Sequence, residues 1–188
     1  MMKKKESYQR LDTFVFPKNS RGRPAWLVQL WWLVQSTIFA MSPQFLYGWR
    51  RFILRMFGAK VGKGVLVRPS VKITYPWNVS FDEHAWIGDE VVLYSLSNIS
   101  IGNHAVISQR SYICTGFHDY SKSSFDTILK NVVIENGVWL ATDVFVAPGV
   151  RIKEGCVVGA RSSVFSDLPS NMICIGTPAK PTKKREQF

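Results

Sequence analysis

The chain has 188 residues, 46% of them hydrophobic, with seven tryptophans and a formal charge of +11, a length that holds one well-buried domain and a small appendage. The charge is at the ends: residues 1–60 carry eleven Lys or Arg against Glu6 and Asp12, residues 180–188 carry four against Glu186, and residues 61–179 carry nine against ten acids. Basic ends suit an anionic membrane or a phosphorylated ligand, and no nucleic acid partner is expected, because the basic residues alternate with bulky apolar ones and no zinc-finger, helix-turn-helix or RNA-binding signature is present.

Met1–Arg23 is polar and lacks the features of a cleavable signal peptide. From Pro24 to Met41 the run AWLVQLWWLVQSTIFAM reads as a helix ended near Ser42-Pro43, and a second helix is expected from Pro43 to Phe57, closed by Gly58. The first is short for a membrane span and is interrupted by Gln29, Gln35, Ser36 and Thr37. Two readings stay open and are compatible. The helices cap the open end of the domain or pack against a neighbouring subunit, or residues 24–57 make a peripheral membrane contact with Arg50, Arg51 and Arg55 on lipid phosphate.

From Val61 the chain has a period of six. Aliphatic residues or Phe recur at the first position: Val61, Val67, Ile73; Phe81, Ile87, Leu93; Ile101, Ile107, Ile113; Ile134, Leu140, Val146; Ile152, Val158, Val164. Small or β-branched residues such as Val65, Ala105 and Ser162 usually fill the fifth position, and Gly is frequent at the second. Six residues make a short strand plus a corner, and three such sides close a triangular coil that buries its first-position residues against the next coil. Neither a helix nor an ordinary amphipathic strand explains sixes. The expectation is an all-β, parallel β-helix over 61–169 with about five triangular coils, an N-terminal helical segment at 1–60, and a C-terminal strand and basic tail at 170–188.

The period breaks at Val79-Ser80, at Ile99-Ser100 and over Asp119–Val133, always after the third hexad and so at one corner of the triangle. Long loops in compact domains carry function. His118 stands where the longest one leaves. His84 and His104 occupy fourth positions, expected at solvent-facing turns, and Cys114 is expected to be structural. The histidine spacings of 20 and 14 do not suit a zinc carbonic anhydrase, which places two His close together on adjacent turns. The three cysteines, Cys114, Cys156 and Cys174, are odd in number and widely spaced, which excludes a disulfide framework and fits a reducing cytoplasm.

The hexads, the TGFHDY segment, the VWLATDVFVAPGV run and the IGTPAKP terminus together resemble the hexapeptide-repeat acyltransferases, among them the galactoside, maltose and nodulation-factor O-acetyltransferases. YQRLDTF, RGRPAWLVQLWWLVQ and SPQFLYGWRRFILRMFGAKVGKGVLVRPS are similar to the colanic-acid-type exopolysaccharide acetyltransferases along essentially the whole chain. The resemblance implies a left-handed β-helix, a homotrimer with sites between subunits, and acetyl-CoA as co-substrate with no metal. It also implies His118 as the catalytic base and CoA contacts at Ala141, Thr142, Ala160, Lys180 and Lys183, with Trp139 lining the same region. Relatives often have Arg in place of Lys180, a Lys in place of Ser166, and an Asn beside the catalytic His. In the matching segment here, LYSLSN, the candidates for acceptor contacts are Tyr94 and Ser95, with Asp119, and the oxyanion donor stays open.

An acyl thioester is already activated, but a sugar hydroxyl is a weak nucleophile at neutral pH. A neutral imidazole, with an ordinary pKa of about 6.5, can take its proton as it attacks. A backbone carbonyl or Asp119 is expected to fix the tautomer of His118. The saccharide acceptor is then lipid-linked, modified in the cytoplasm at the inner membrane face. A non-catalytic trimeric scaffold of a polysaccharide assembly, or an amine acceptor, is the alternative.

Overall fold

The computed structural model describes residues 8–15 and 21–186. From Lys60 onward the chain winds as a three-sided parallel β-helix. Face 1 is built by Lys60–Val61, Val79–Phe81, Ile99–Ile101, Val132–Ile134 and Arg151–Ile152. Face 2 holds Leu66–Val67, Trp86–Ile87, Val106–Ile107, Trp139–Leu140, Val157–Val158 and Met172–Gly176. Face 3 holds Lys72–Ile73, Val92–Tyr94, Tyr112–Cys114, Phe145–Val146 and Ser163–Val164. The ladders between coils are parallel and stay in register, as in Leu66 with Trp86, Trp86 with Val106, and Val106 with Trp139. Five coils are complete, and Leu168, bridged to Ile152, begins a sixth with Met172–Gly176 that the hexads did not count. Ala179–Lys184 then folds back antiparallel on that last strand and closes its edge.

Strands of two or three residues do not persist alone, so the shared interior holds them. Val61, at the open mouth, is half-buried, and the other fourteen first-position residues are buried. Most fourth-position residues take the left-handed conformation that turns the corner, including His84 (φ 58°), His104 (φ 55°), Arg110 (φ 61°) and Asp143 (φ 59°). His84 and His104 are exposed there and stack with ring centroids 5.2 Å apart, as expected of turn residues. At the second position the constraint is space. A Cβ on Gly102 would lie 2.7 Å from the backbone N of Asn136 in the next coil.

The N-terminal helices are shorter than the apolar pattern suggests. α1 spans Ala25–Val34 and runs into a π-helical turn, Gln35–Phe39, and α2 spans Tyr47–Met56. The widened turn has a local cause, because the hydroxyls of Ser36 and Thr37 both donate to Leu33 O, at 3.1 and 2.6 Å, and compete with the helical ladder. No helix among the described residues is long and apolar enough to cross a membrane.

These helices cap the prism. With no coil before it, the first coil has edge carbonyls that need donors from outside the prism, the hazard of any open sheet edge. Arg55 donates to Val61 O (2.6 Å), Arg51 to Val65 O (2.9 Å) and Arg50 to Val67 O (2.6 Å), while Trp31 Nε1 donates to Ile73 O (2.8 Å) and Gln35 Oε1 accepts from Ile73 N (2.6 Å). Arg50, Arg51 and Arg55 therefore face the coil, not lipid phosphate, which corrects that part of the membrane reading.

Candidate active site

The long insertion begins earlier than the hexads indicate. Gly116–His118 and Thr127–Leu129 pair as an antiparallel hairpin, and Lys130 N donates to Thr115 O at 2.9 Å where the chain rejoins the coil. His118 is thus on the outgoing hairpin strand and not at the root of a loose loop. The hairpin stands at the corner between faces 3 and 1, where the two shorter insertions also fall. That corner is fastened by side chains: Ser95 Oγ donates to Tyr75 O and accepts from Tyr75 N, and Asn131 Oδ1 accepts from Ser97 Oγ and Asn98 N.

The imidazole of His118 is half-buried. Its Nδ1 lies 2.9 Å from Phe125 O. A carbonyl only accepts, so Nδ1 carries the proton and Nε2 presents a lone pair. Phe125 also stacks its ring on the imidazole, centroids 4.2 Å apart and planes 3° from parallel. To offer both groups it takes a left-handed backbone, φ 50°, a conformation that a bulky residue adopts at a cost. Phe14 packs edge-on to the same ring at 5.7 Å, held there by the N-terminal strap whose Arg10 N donates to Ser123 O at 2.7 Å. Across the hairpin from His118, Thr127 has the one buried hydroxyl without a hydrogen-bond partner among the described residues.

Asp119 does not orient the imidazole. Its carboxylate accepts from Ser121 N (3.0 Å) and Ser121 Oγ, bonds that, with Lys122 nearby, hold its pKa below the ordinary value. Ser95 is fully buried and committed to Tyr75, so it is a fastener of the corner and has no hydroxyl to offer an acceptor. Tyr94, one coil below the hairpin root, is half-buried with its ring 6.2 Å from Tyr112, and burial pushes its phenol pKa up. Cys114 is buried, its thiol 3.1 Å from Gly116 O and its pKa raised by burial.

The residues implied for CoA gather elsewhere. Trp139 is in register with Val157, Val157 with Ile173 and Ile173 with Lys183, and Lys180 pairs with Ile175 in the same sheet. Trp139, 46% exposed, donates from Nε1 to Ser108 Oγ at 3.0 Å. Ala141 continues that strand's edge, and Thr142 and Ala160 lie at the corner between faces 2 and 3, where Thr142 Oγ1 donates to Gln109 O. A groove of about 360 Å³ lies between Trp86 and Trp139, over Val106, Ser108 and Gln109. The larger cavity, about 580 Å³, lies between Gln35–Ala40 and the first coils of face 3, away from both sets. In one chain, His118 occupies the corner opposite face 2, so the two sets do not meet. Among the described residues no group of three His, Cys, Asp or Glu is placed to hold a metal.

No family model matches the chain. Its fold superposes on a maltose O-acetyltransferase of Clostridium difficile with TM-score 0.78 and 26% identity, covering 87% of this chain and 90% of that one. A hexapeptide-repeat acetyltransferase of Vibrio cholerae, crystallised with acetyl-CoA, gives TM-score 0.77 and 25% identity over 86% and 88% of the two chains. The colanic acid biosynthesis acetyltransferase WcaF of Escherichia coli is 58% identical over 177 residues, 94% of this chain and 97% of that protein. The chain belongs to the hexapeptide-repeat acetyltransferases. Within them it is of the colanic acid biosynthesis type, and its prism is the left-handed parallel β-helix of the family. As a hexapeptide-repeat acetyltransferase it carries features that its sequence did not announce. Phe125 and Phe14, which clamp the imidazole, are two phenylalanines among twelve and fall outside the period of six.

Proposed function

We propose that this acetyltransferase moves an acetyl group from acetyl-CoA to a sugar hydroxyl of an exopolysaccharide precursor, with His118 as general base. The observation that carries the reading is the Nδ1 contact to Phe125 O, which leaves Nε2 as the only basic atom of the ring. Nε2 takes the hydroxyl proton as the sugar oxygen attacks the thioester carbonyl. The tetrahedral oxyanion then collapses, the C–S bond breaks, and the imidazolium returns the proton to the CoA sulfur. Trp139 and the groove beside it hold the pantetheine arm against the backbone of Ala141, Thr142 and Ala160, and Lys180 and Lys183 meet the phosphates as point charges. Tyr94 and Asp119, on the His118 corner, line the acceptor side.

Because His118 lies opposite face 2 in its own chain, the site is completed by a neighbouring copy. A homotrimer that sets each hairpin against the next protomer's face 2 makes three equivalent sites. The acceptor is lipid-linked and is met in the cytoplasm, with residues 24–57 in peripheral contact with the inner membrane face. The test is free-thiol release from acetyl-CoA with candidate glycans. His118→Ala is expected to lower the rate about 10²–10⁴-fold. Wild-type turnover by that variant, or no thiol release by the native protein with any glycan, would refute the reading, the latter in favour of a scaffold.

A further inference from the structure

With its arginines spent on the first coil, the cap turns an apolar surface outward. On α1, Val28 and Trp31 are buried, Trp31 against the prism, and Trp26, Leu30 and Leu33 are exposed. On α2, Arg50, Ile53 and Leu54 face inward, and Trp49, Phe52 and Met56 face out. Between the helices Met41 and Phe45 are 80% and 77% exposed. Exposed apolar surface of this breadth marks an interaction site.

Its charge frame narrows the choice of occupant. The sequence has no Asp or Glu between Asp12 and Asp82, so the cap and the whole first coil are free of acid. Arg23, Lys60 and Lys63 are exposed in this part of the chain. A second copy stacked end to end would bring two such basic, acid-free faces together, a like-charge arrangement that disfavours the contact. Copies joined side by side, hairpin to face 2, leave their end faces coplanar and open.

We propose that the outward surface of α1 and α2 docks on an anionic lipid bilayer, its aromatic and aliphatic side chains entering the headgroup layer and the exposed basic residues meeting lipid phosphate. The inference deepens the proposed function and rests on it for the reason to dock, a lipid-linked acceptor. The hairpin leaves the third coil, two strand spacings or about 10 Å above the first, and the cap helices add roughly 10 Å. His118 therefore stands on the order of 20 Å above the lipid, within reach of a short saccharide carried on a headgroup.

The experiment is flotation of the full chain with vesicles of phosphatidylcholine alone or mixed with phosphatidylglycerol, at low and high salt. The native protein is expected to float with the mixed vesicles and at least tenfold more weakly with neutral ones or in high salt. Trp49→Ser/Phe52→Ser/Met56→Ser, its fold checked by circular dichroism, is expected to lose binding at least tenfold while still releasing thiol with a water-soluble glycan. Lys60→Glu/Lys63→Glu, which keeps the apolar face, is expected to weaken binding to the mixed vesicles alone. No flotation of the native protein with anionic vesicles at low salt overturns the proposal. So does undiminished flotation of the apolar triple variant, or dissociation of its subunits, which would assign the face to a second copy. Flotation without thiol release would instead count against the catalytic reading alone.

Discussion

Replacing Arg50 by Met tests whether the cap is a structural plug. Arg50 is fully buried and donates to Val67 O at 2.6 Å, Ser42 Oγ at 2.8 Å, Pro43 O at 3.0 Å and Gln44 O at 2.5 Å. Burial lowers its pKa, the sign of a charge held away from water. Methionine keeps most of the stem, so the loss is confined to the guanidinium. Val67 O is then orphaned at the sheet edge, which costs about 1–3 kcal/mol. The half-buried carbonyls of Pro43 and Gln44 regain water at about 0.5–1 kcal/mol each, and relief of the buried charge offsets part of this. A net loss of about 2–4 kcal/mol, at roughly 2–4 °C per kcal/mol for a chain of this size, lowers the melting temperature by about 5–15 °C. Arg55, whose bonds to Val61 O and Gly62 O are exposed, is the control, with an expected loss under about 1 kcal/mol for Arg55→Met. Thermal melts followed by circular dichroism, without lipid present, read both. If Arg50→Met melts within about 2 °C of the native chain, or Arg55→Met falls as far, the reasoning fails.

Three further outcomes follow from the site and the interior. If, as proposed, each site draws its halves from two protomers, subunits bearing His118→Ala mixed with subunits bearing Trp139→Ala and reassembled should recover about a quarter of the native sites; activity no greater than the sum of the separate variants would rule out a shared site. Asp119→Asn should keep kcat and its pH profile within about threefold, because Asp119 holds Ser121 and not the imidazole; a hundredfold loss would restore it as the group that fixes the tautomer of His118. Cys156, pushed up to about 12 by burial with Cys174 beside it, has almost no thiolate at pH 8, so a thiol titration should leave it unreacted in the native chain and reactive once unfolded; prompt native reaction would mean that the interior opens.

The coil architecture was legible because burial writes a periodic signal. Each first-position residue must enter the same interior, and every insertion must leave by a corner, so Ile107 or Leu140 could be placed without coordinates. His118 was legible only through its motif. Its partners were not, because Phe125 acts through a backbone carbonyl and a left-handed turn, neither of which is a residue-type signal. Asp119 was a reasonable candidate by adjacency, yet the hairpin turn directs its carboxylate at Ser121 N. The cap shows the opposite failure. Arginines facing away from apolar residues on a helix suggest an anionic partner, and sequence cannot say that the partner is the carbonyl edge of the chain's own first coil. The hairpin starts three residues before the period visibly breaks, because Gly116–His118 continues the strand character of the coil before departing from it.

A stack of identical turns has no inherent length, since any terminal coil is a template for another. Here both termini are stopped, one by the donors of Arg50, Arg51, Arg55 and Trp31, the other by the reversed strand Ala179–Lys184. Without the first stopper the molecule would offer a bare parallel edge, and deletion of residues 24–57 should yield filaments in electron micrographs where the native chain gives discrete particles.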